Sequence, residues 1–129
     1  MSDFSGTSLV LAGIFNFGIA VYHIFFWRLF GWKKDLLSLH KINRSIMHAM
    51  NFALIFIFSF FAYLLLFHAK ELLNSQLGQA TLTGVALFWL FRGLIQLPLF
   101  GYGQPRSLFF FGAFLIGAGL HAFPILVLF

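Results

Sequence analysis

Four stretches of about 20 mostly apolar residues, each long enough to cross the hydrocarbon core of a bilayer, dominate this chain. They cover residues 8–30, 46–68, 78–100 and 107–129. The breaks between them carry loop chemistry. Gly31, Trp32, Lys33, Lys34 and Asp35 follow the first stretch, Lys70 and Glu71 open the second break, and Gly101, Gly103 and Pro105 punctuate a tight third turn. Helices joined by such short connections pack as antiparallel neighbours. The expected fold is therefore all-α: one domain over residues 1–129, built as an up-down-up-down bundle of four transmembrane helices.

Composition closes off the alternatives. The chain is 61% hydrophobic and 9% charged over 129 residues, where soluble domains carry about 25% charge. A soluble fold of this size buries only ~60–70% of the surface its chain exposes, so lipid must cover the rest. The absence of cysteine excludes disulfides, thiolate metal sites, iron–sulfur clusters and cysteine catalysis. The net charge of +5 comes from basic residues at helix ends, which points to anionic lipid as the partner and not to nucleic acid. Met1, Ser2 and Asp3 lack the basic start of a cleaved signal peptide, and Ser2 stands where myristoylation needs glycine.

Charge bias sets the expected orientation. Lys33, Lys34, Lys41 and Arg44 lie in the segment 31–45 and Arg106 in the segment 101–106, on one side of the membrane. The other side has Lys70 beside Glu71. Both termini are thus expected outside, and both basic loops cytoplasmic. Trp32, Leu36, Leu39 and Asn43 recur at helical spacing in the first loop. A short interfacial helix would place this stripe among lipid headgroups; an ordinary basic loop that fixes topology is the plainer reading.

Inside hydrocarbon the informative residues are polar, since each is costly without a partner. At a 1.5 Å rise per residue, His23 lies ~6 Å inward of its helix centre, Arg92 ~3 Å, Asn51 and Gln96 ~9 Å, and His48 ~13 Å. Asn16 and His121 share another layer on the outer side. Gly13, Asn16, Ala20, His23 and Trp27 share one face of the first helix; Arg44, His48 and Asn51 share one on the second. Val85, Trp89, Arg92 and Gln96 form a stripe on the third, and Ala113, Gly117 and His121 one on the fourth. Small residues on such faces allow close helix approach.

Arg92 is the strongest single signal. An arginine in a span costs ~2.5–3.5 kcal/mol on insertion scales. The three acids of the chain, Asp3, Asp35 and Glu71, all lie outside the spans. Its planar fork must use Gln96, Asn51, carbonyls, water or a bound anion, or else snorkel along Gln96 to the interface. The leading expectation is a site in the inner-leaflet half, lined by His23, His48, Asn51, Trp89, Arg92 and Gln96. Arg92 would hold an anionic or polar group: a lipid headgroup, a quinone-like molecule or a small anion. The alternative is an accessory subunit or homo-oligomer, with another membrane protein as partner, whose polar residues only fix packing. A third reading is a small haem-binding redox subunit, although the depths of His23 and His48 differ by ~7 Å. No metal site is expected, because neutral histidines alone make a weak ligand set. No phosphate loop, zinc motif or nucleophile elbow is present. The chain resembles small four-helix bacterial membrane proteins, which implies a fold and no activity; a bacterial inner membrane is the expected location.

Overall fold

The computed structural model describes residues 2–128, with side chains from residue 4 to residue 127. Every element among the described residues is helical: α1 (Ser2–Ile24), α2 (Phe26–Leu29), α3 (Trp32–Asp35), a 3-10 turn (Leu36–Ser38), α4 (Lys41–Phe67), α5 (Ala69–Asn74), α6 (Gln76–Phe100) and α7 (Pro105–Leu128). Four of these, over Phe4–Ile24, Lys41–Phe67, Gln76–Phe100 and Pro105–Val127, are long and apolar enough to cross a membrane. The expected end of the last span at Phe129 lies outside the described residues.

The boundaries differ from expectation where the chain bends. The first span starts earlier and stops at Ile24, because Phe25 sits at φ −89°, ψ 2°, outside helical geometry. The chain resumes as α2 and then turns at Gly31, whose φ of +59° is a conformation that glycine adopts without a Cβ penalty. This break rotates Trp27 off the inward stripe and leaves it half exposed. The second span starts at Lys41, so Lys41 and Arg44 belong to a spanning helix and not to the loop. The stripe proposed for an interfacial helix is interrupted: Leu39 and His40 are extended, with ψ of 152° and 148°. Only Leu36 of that stripe is fully buried. At the other end of the bundle, Ser75 caps α6, its Oγ accepting from Gly78 N–H at 2.9 Å.

α1 lies along both α4 and α7, and α7 lies along α6. The contacts run in opposite chain senses. Early α1 meets late α4 at Gly13 and Leu65, and late α1 meets early α4 where Asn51 Nδ2 donates to the His23 carbonyl at 3.0 Å. Ser8 donates to the Leu120 carbonyl across α1 and α7 at 2.6 Å. Gln96 meets Ser107 across the α6–α7 hairpin. At Gly117 a Cβ would stand 2.6 Å from the Phe15 ring, so glycine there is what lets α7 approach α1. α4 and α6 are not packed backbone to backbone. Their seam is bridged by rings, with Phe58 5.9 Å from Phe88 and 5.1 Å from Trp89, centroid to centroid.

Two apolar clusters fill the interior. Leu9, Ala12, Leu65, Leu72 and Leu82 form one towards the α5 end. Ala20, Phe58, Val85, Trp89, Phe114 and Ala118 form the other at mid-bundle. Phe52, Phe56, Phe91 and Phe109 point outward. That distribution suits a bundle whose solvent is hydrocarbon, where outward apolar side chains cost nothing.

Candidate functional site

Mid-bundle, three helices contribute to one closed hydrogen-bonded cluster. Trp89 Nε1–H donates to Asn16 Oδ1 at 3.3 Å. Asn16 Nδ2 donates to the Ala12 carbonyl at 2.8 Å and faces His121 Nε2 at 2.9 Å. His121 Nδ1 lies 2.7 Å from the Gly117 carbonyl. A carbonyl only accepts, so Nδ1 carries the proton and Nε2 accepts from Asn16, which makes a neutral ring. All three side chains are buried to 1% exposure or less. Rings complete the enclosure: Trp89 stacks between Phe58 and Phe114, at 5.1 and 5.5 Å, with the edge of Phe15 at 4.8 Å. Every polar group named here has a partner, as buried polar groups in an apolar medium must.

Beneath this cluster, towards the end that carries Arg28, Lys33, Lys34, Arg44 and Arg106, lies a cavity of about 480 Å³. That volume falls within the usual range for small-molecule sites. All four long helices contribute. α1 and α2 supply Tyr22, His23, Phe26 and the adjoining Phe30, and α3 supplies Trp32. α4 supplies Met47, Leu54 and Phe58; α6 supplies Phe88, Trp89, Arg92, Gln96 and Phe100. The α6–α7 turn and α7 supply Gln104, Arg106, Ser107, Phe110 and Phe114. The walls are mostly aromatic, the polar groups are few, and no Asp or Glu stands among these residues.

The polar groups form a chain. Arg92 Nη1 donates to Gln96 Oε1 at 3.0 Å, and Gln96 Nε2 donates to Ser107 Oγ at 3.3 Å. Gln96 and Ser107 are buried at 3% exposure, while Arg92 is half-buried. The guanidinium carbon lies 4.6 Å from the Phe114 ring centroid and 5.4 Å from that of Phe100. Two ring contacts at ~0.5–2 kcal/mol each and one charged hydrogen bond at ~1.5–3 kcal/mol about match the ~2.5–3.5 kcal/mol insertion cost. Arg92 is therefore stable on protein contacts, with four of its five N–H donors beyond the one given to Gln96. His23 Nδ1 lies 2.8 Å from the Ile19 carbonyl, which puts the proton on Nδ1 and makes Nε2 the acceptor of the neutral ring. The ring stacks on Phe26 at 4.2 Å.

Of the six residues expected to line a site, the structure brings His23, Trp89, Arg92 and Gln96 to this cavity and places His48 and Asn51 elsewhere. His48 sits among the rings of Trp27, Trp32 and Phe52. Asn51 ties α4 to the end of α1 through the His23 carbonyl, and its Oδ1 is buried without a partner among the described residues. His23 and His48 thus do not face each other across the cavity. Among the described residues no three of His, Asp or Glu gather as a metal ligand set. Tyr22, Trp32, Gln104, Arg106 and Ser107 were not anticipated. One signal was available: Gln96 and Ser107 are equally far from the centre of the Gly101–Tyr102 turn, so an antiparallel hairpin brings them level. No protein-family model matches this chain, and comparison with curated proteins and with solved structures finds no match, so its fold and site are read from its own residues.

Proposed function

We propose that this small polytopic membrane protein binds a membrane-dissolved molecule through an anionic group, in the cavity between its four spans. Arg92 takes the anionic group, held in place by Gln96 and Ser107. Arg106 adds a second positive charge at the mouth, and Trp89, Phe110 and Phe114 pack the apolar body of the ligand. The observation that carries this reading is Arg92 itself: a half-buried guanidinium lining a 480 Å³ cavity without a carboxylate in the lining. A planar fork in a medium of low dielectric favours carboxylate or phosphate over a neutral group. Gln96 and the ring contacts hold the guanidinium in place, and its remaining N–H donors are the groups a ligand anion would take. His23 Nε2 supplies an acceptor for a ligand hydroxyl.

The up-down-up-down arrangement and the orientation belong to the same proposal. With both termini outside and the basic ends at 31–45 and 101–106 on the cytoplasmic side, the cavity would lie in the inner-leaflet half. The lysines at 33, 34 and 41 would then rest on anionic lipid headgroups.

Native mass spectrometry of the protein, released from its own membranes in mild detergent, tests the site. An added small mass that is retained by the parent chain and missing from Arg92→Gln is the expected result. A bare chain in both, or one found only with further copies or with another protein, overturns the reading and leaves an accessory or oligomeric subunit.

A further inference from the structure

The wall of the cavity has two features that its charge does not explain. The first is its chemistry. Ten of the nineteen residues that line the cavity are Phe, Tyr or Trp, against 21% of the whole chain. Leucine, by contrast, fills the cluster at the α5 end, through Leu9, Leu65, Leu72 and Leu82. The chain has aliphatic side chains for packing, and it places rings around this space. The second feature is order. Phe58, Trp89, Phe114, Phe110 and Tyr22 form a column of neighbouring rings, with successive centroids 5.1, 5.5, 6.0 and 5.4 Å apart and successive planes within 28° of parallel. Arg92 stands over the middle ring, its guanidinium carbon 4.6 Å from the Phe114 centroid. On the mid-bundle side of that point the column is closed, since Phe58, Trp89 and Phe114 are buried. Towards the basic end it continues as Phe110 and Tyr22, which are partly exposed and line the cavity.

Competition with lipid decides what such a wall can select. A ligand that leaves hydrocarbon gains little from apolar area alone, because lipid tails are as apolar as leucine. Affinity must come from what hydrocarbon lacks. One such interaction is the charge on Arg92. The other is ring-on-ring contact, offset-stacked or edge-to-face, which stabilises beyond the area it buries. An aliphatic body would meet these rings little better than it meets lipid. A flat ring also has few rotors to lose on binding, and a volume of about 480 Å³ closed at one end suits a compact body.

We infer that the ligand is an aromatic carboxylate, a flat ring whose acid group sits on Arg92 and whose body packs on Phe110 and Tyr22. This rests on the binding site proposed above and adds the class of ligand. A carboxylate meets the fork of a single arginine with two parallel hydrogen bonds, and its one charge balances that of Arg92. A phosphate monoester brings up to two charges to the same place, while Arg106, the second positive charge, stands exposed at the mouth.

The test uses the full-length protein in phosphatidylcholine nanodiscs and two acids with one carbon skeleton, naphthalene-2-carboxylate and its fully saturated decalin counterpart. Equilibrium dialysis of the tritiated aromatic acid, with empty nanodiscs as the reference for partitioning into lipid, gives its affinity. Displacement gives that of the saturated acid. Saturable binding is expected, with the aromatic acid about tenfold tighter. Arg92→Gln should weaken both acids by about tenfold or more. Phe110→Leu should remove most of the preference for the aromatic acid and leave the saturated acid bound as before, a split that a merely loosened bundle would not produce. If the two acids bind alike and both depend on Arg92, the site stands and the aromatic class is wrong. If neither binds, but the native mass spectrum still shows a small mass that Arg92→Gln loses, the class is again wrong and the site stands. Binding that is unchanged in Arg92→Gln, or the absence of both binding and that mass, overturns the site and this inference with it.

Discussion

The Asn16–His121–Trp89 cluster and the Arg92–Gln96–Ser107 chain face the same problem, polar groups at membrane depth, and solve it in opposite ways. In the first, donors and acceptors are matched one to one and all three side chains are buried. No hydrogen-bonding capacity is left to offer a ligand, and the cluster ties α1, α6 and α7 together. In the second, Gln96 and Ser107 are buried and matched, but the guanidinium they lead to is half-buried and lines a cavity. A polar residue in a span is therefore not informative by its type alone. What separates helix glue from a binding group is whether its hydrogen-bonding capacity is exhausted inside the protein.

Substitutions can break this contrast. The largest effect is expected at Asn16→Leu, which strips a partner from both Trp89 Nε1–H and His121 Nε2. Each orphaned group costs about 1–3 kcal/mol, so thermal unfolding in detergent should drop markedly. An Asn16→Leu protein as stable as the parent, but with the co-isolated mass lost, would move the closed cluster into the site. Next is Arg92→Lys, which keeps the charge and removes the fork. Ligand binding should weaken about tenfold, equivalent to ~1.4 kcal/mol, with the unfolding temperature nearly unchanged. Unaltered binding would mean that charge alone is read, and the fork geometry has no role.

The smallest effect is expected outside the spans. His68 Nε2 pairs with Tyr63 Oη at 3.0 Å, and His68 Nδ1 lies 3.5 Å from Glu71 Oε1. The Glu71 backbone N–H, with His68 and Lys70 assisting, holds the Glu71 carboxyl below its ordinary value. A carboxyl lowered on folding stabilises above its unfolded value of about 4.3, and that contribution fades as pH falls through the folded value. Glu71→Gln should therefore leave the unfolding temperature nearly as it is at neutral pH and flatten only a slight acid-side decline. A large neutral-pH loss would show that the His68–Glu71 pair does more than surface ion pairs usually do.

Much of the bundle was legible in the order of residues. The four spans follow from length and hydropathy; of the expected stripes, Gly13, Asn16, Ala20, Val85, Trp89 and Gln96 are buried, while His23 and Arg92 are only partly so. Counting along straight helices also put Asn16 level with His121, and they are bonded. The same counting failed at Trp27, because Phe25 interrupts the helix before it. Depth alone did not say which neighbours His48 and Asn51 would meet: they stand on the part of α4 beside Trp27 and the end of α1.

Periodicity determines which face of each helix looks inward, because hydrocarbon penalises polar groups on the outside whatever the neighbours are. It says nothing about which inward faces meet. That depended on contacts between distant segments: Gly117 admitting Phe15, Ser8 reaching Leu120, and Gln96 reaching Ser107. Those contacts draw α1, α7 and α6 together and leave α4 and α6 apart. The four spans and their polar stripes belong to the sequence, then, and the choice of neighbours and the cavity between the spans belong to the tertiary structure. The reason is that in lipid, helix neighbours are chosen by steric fit and hydrogen-bond matching across helices, which one-dimensional hydropathy does not encode.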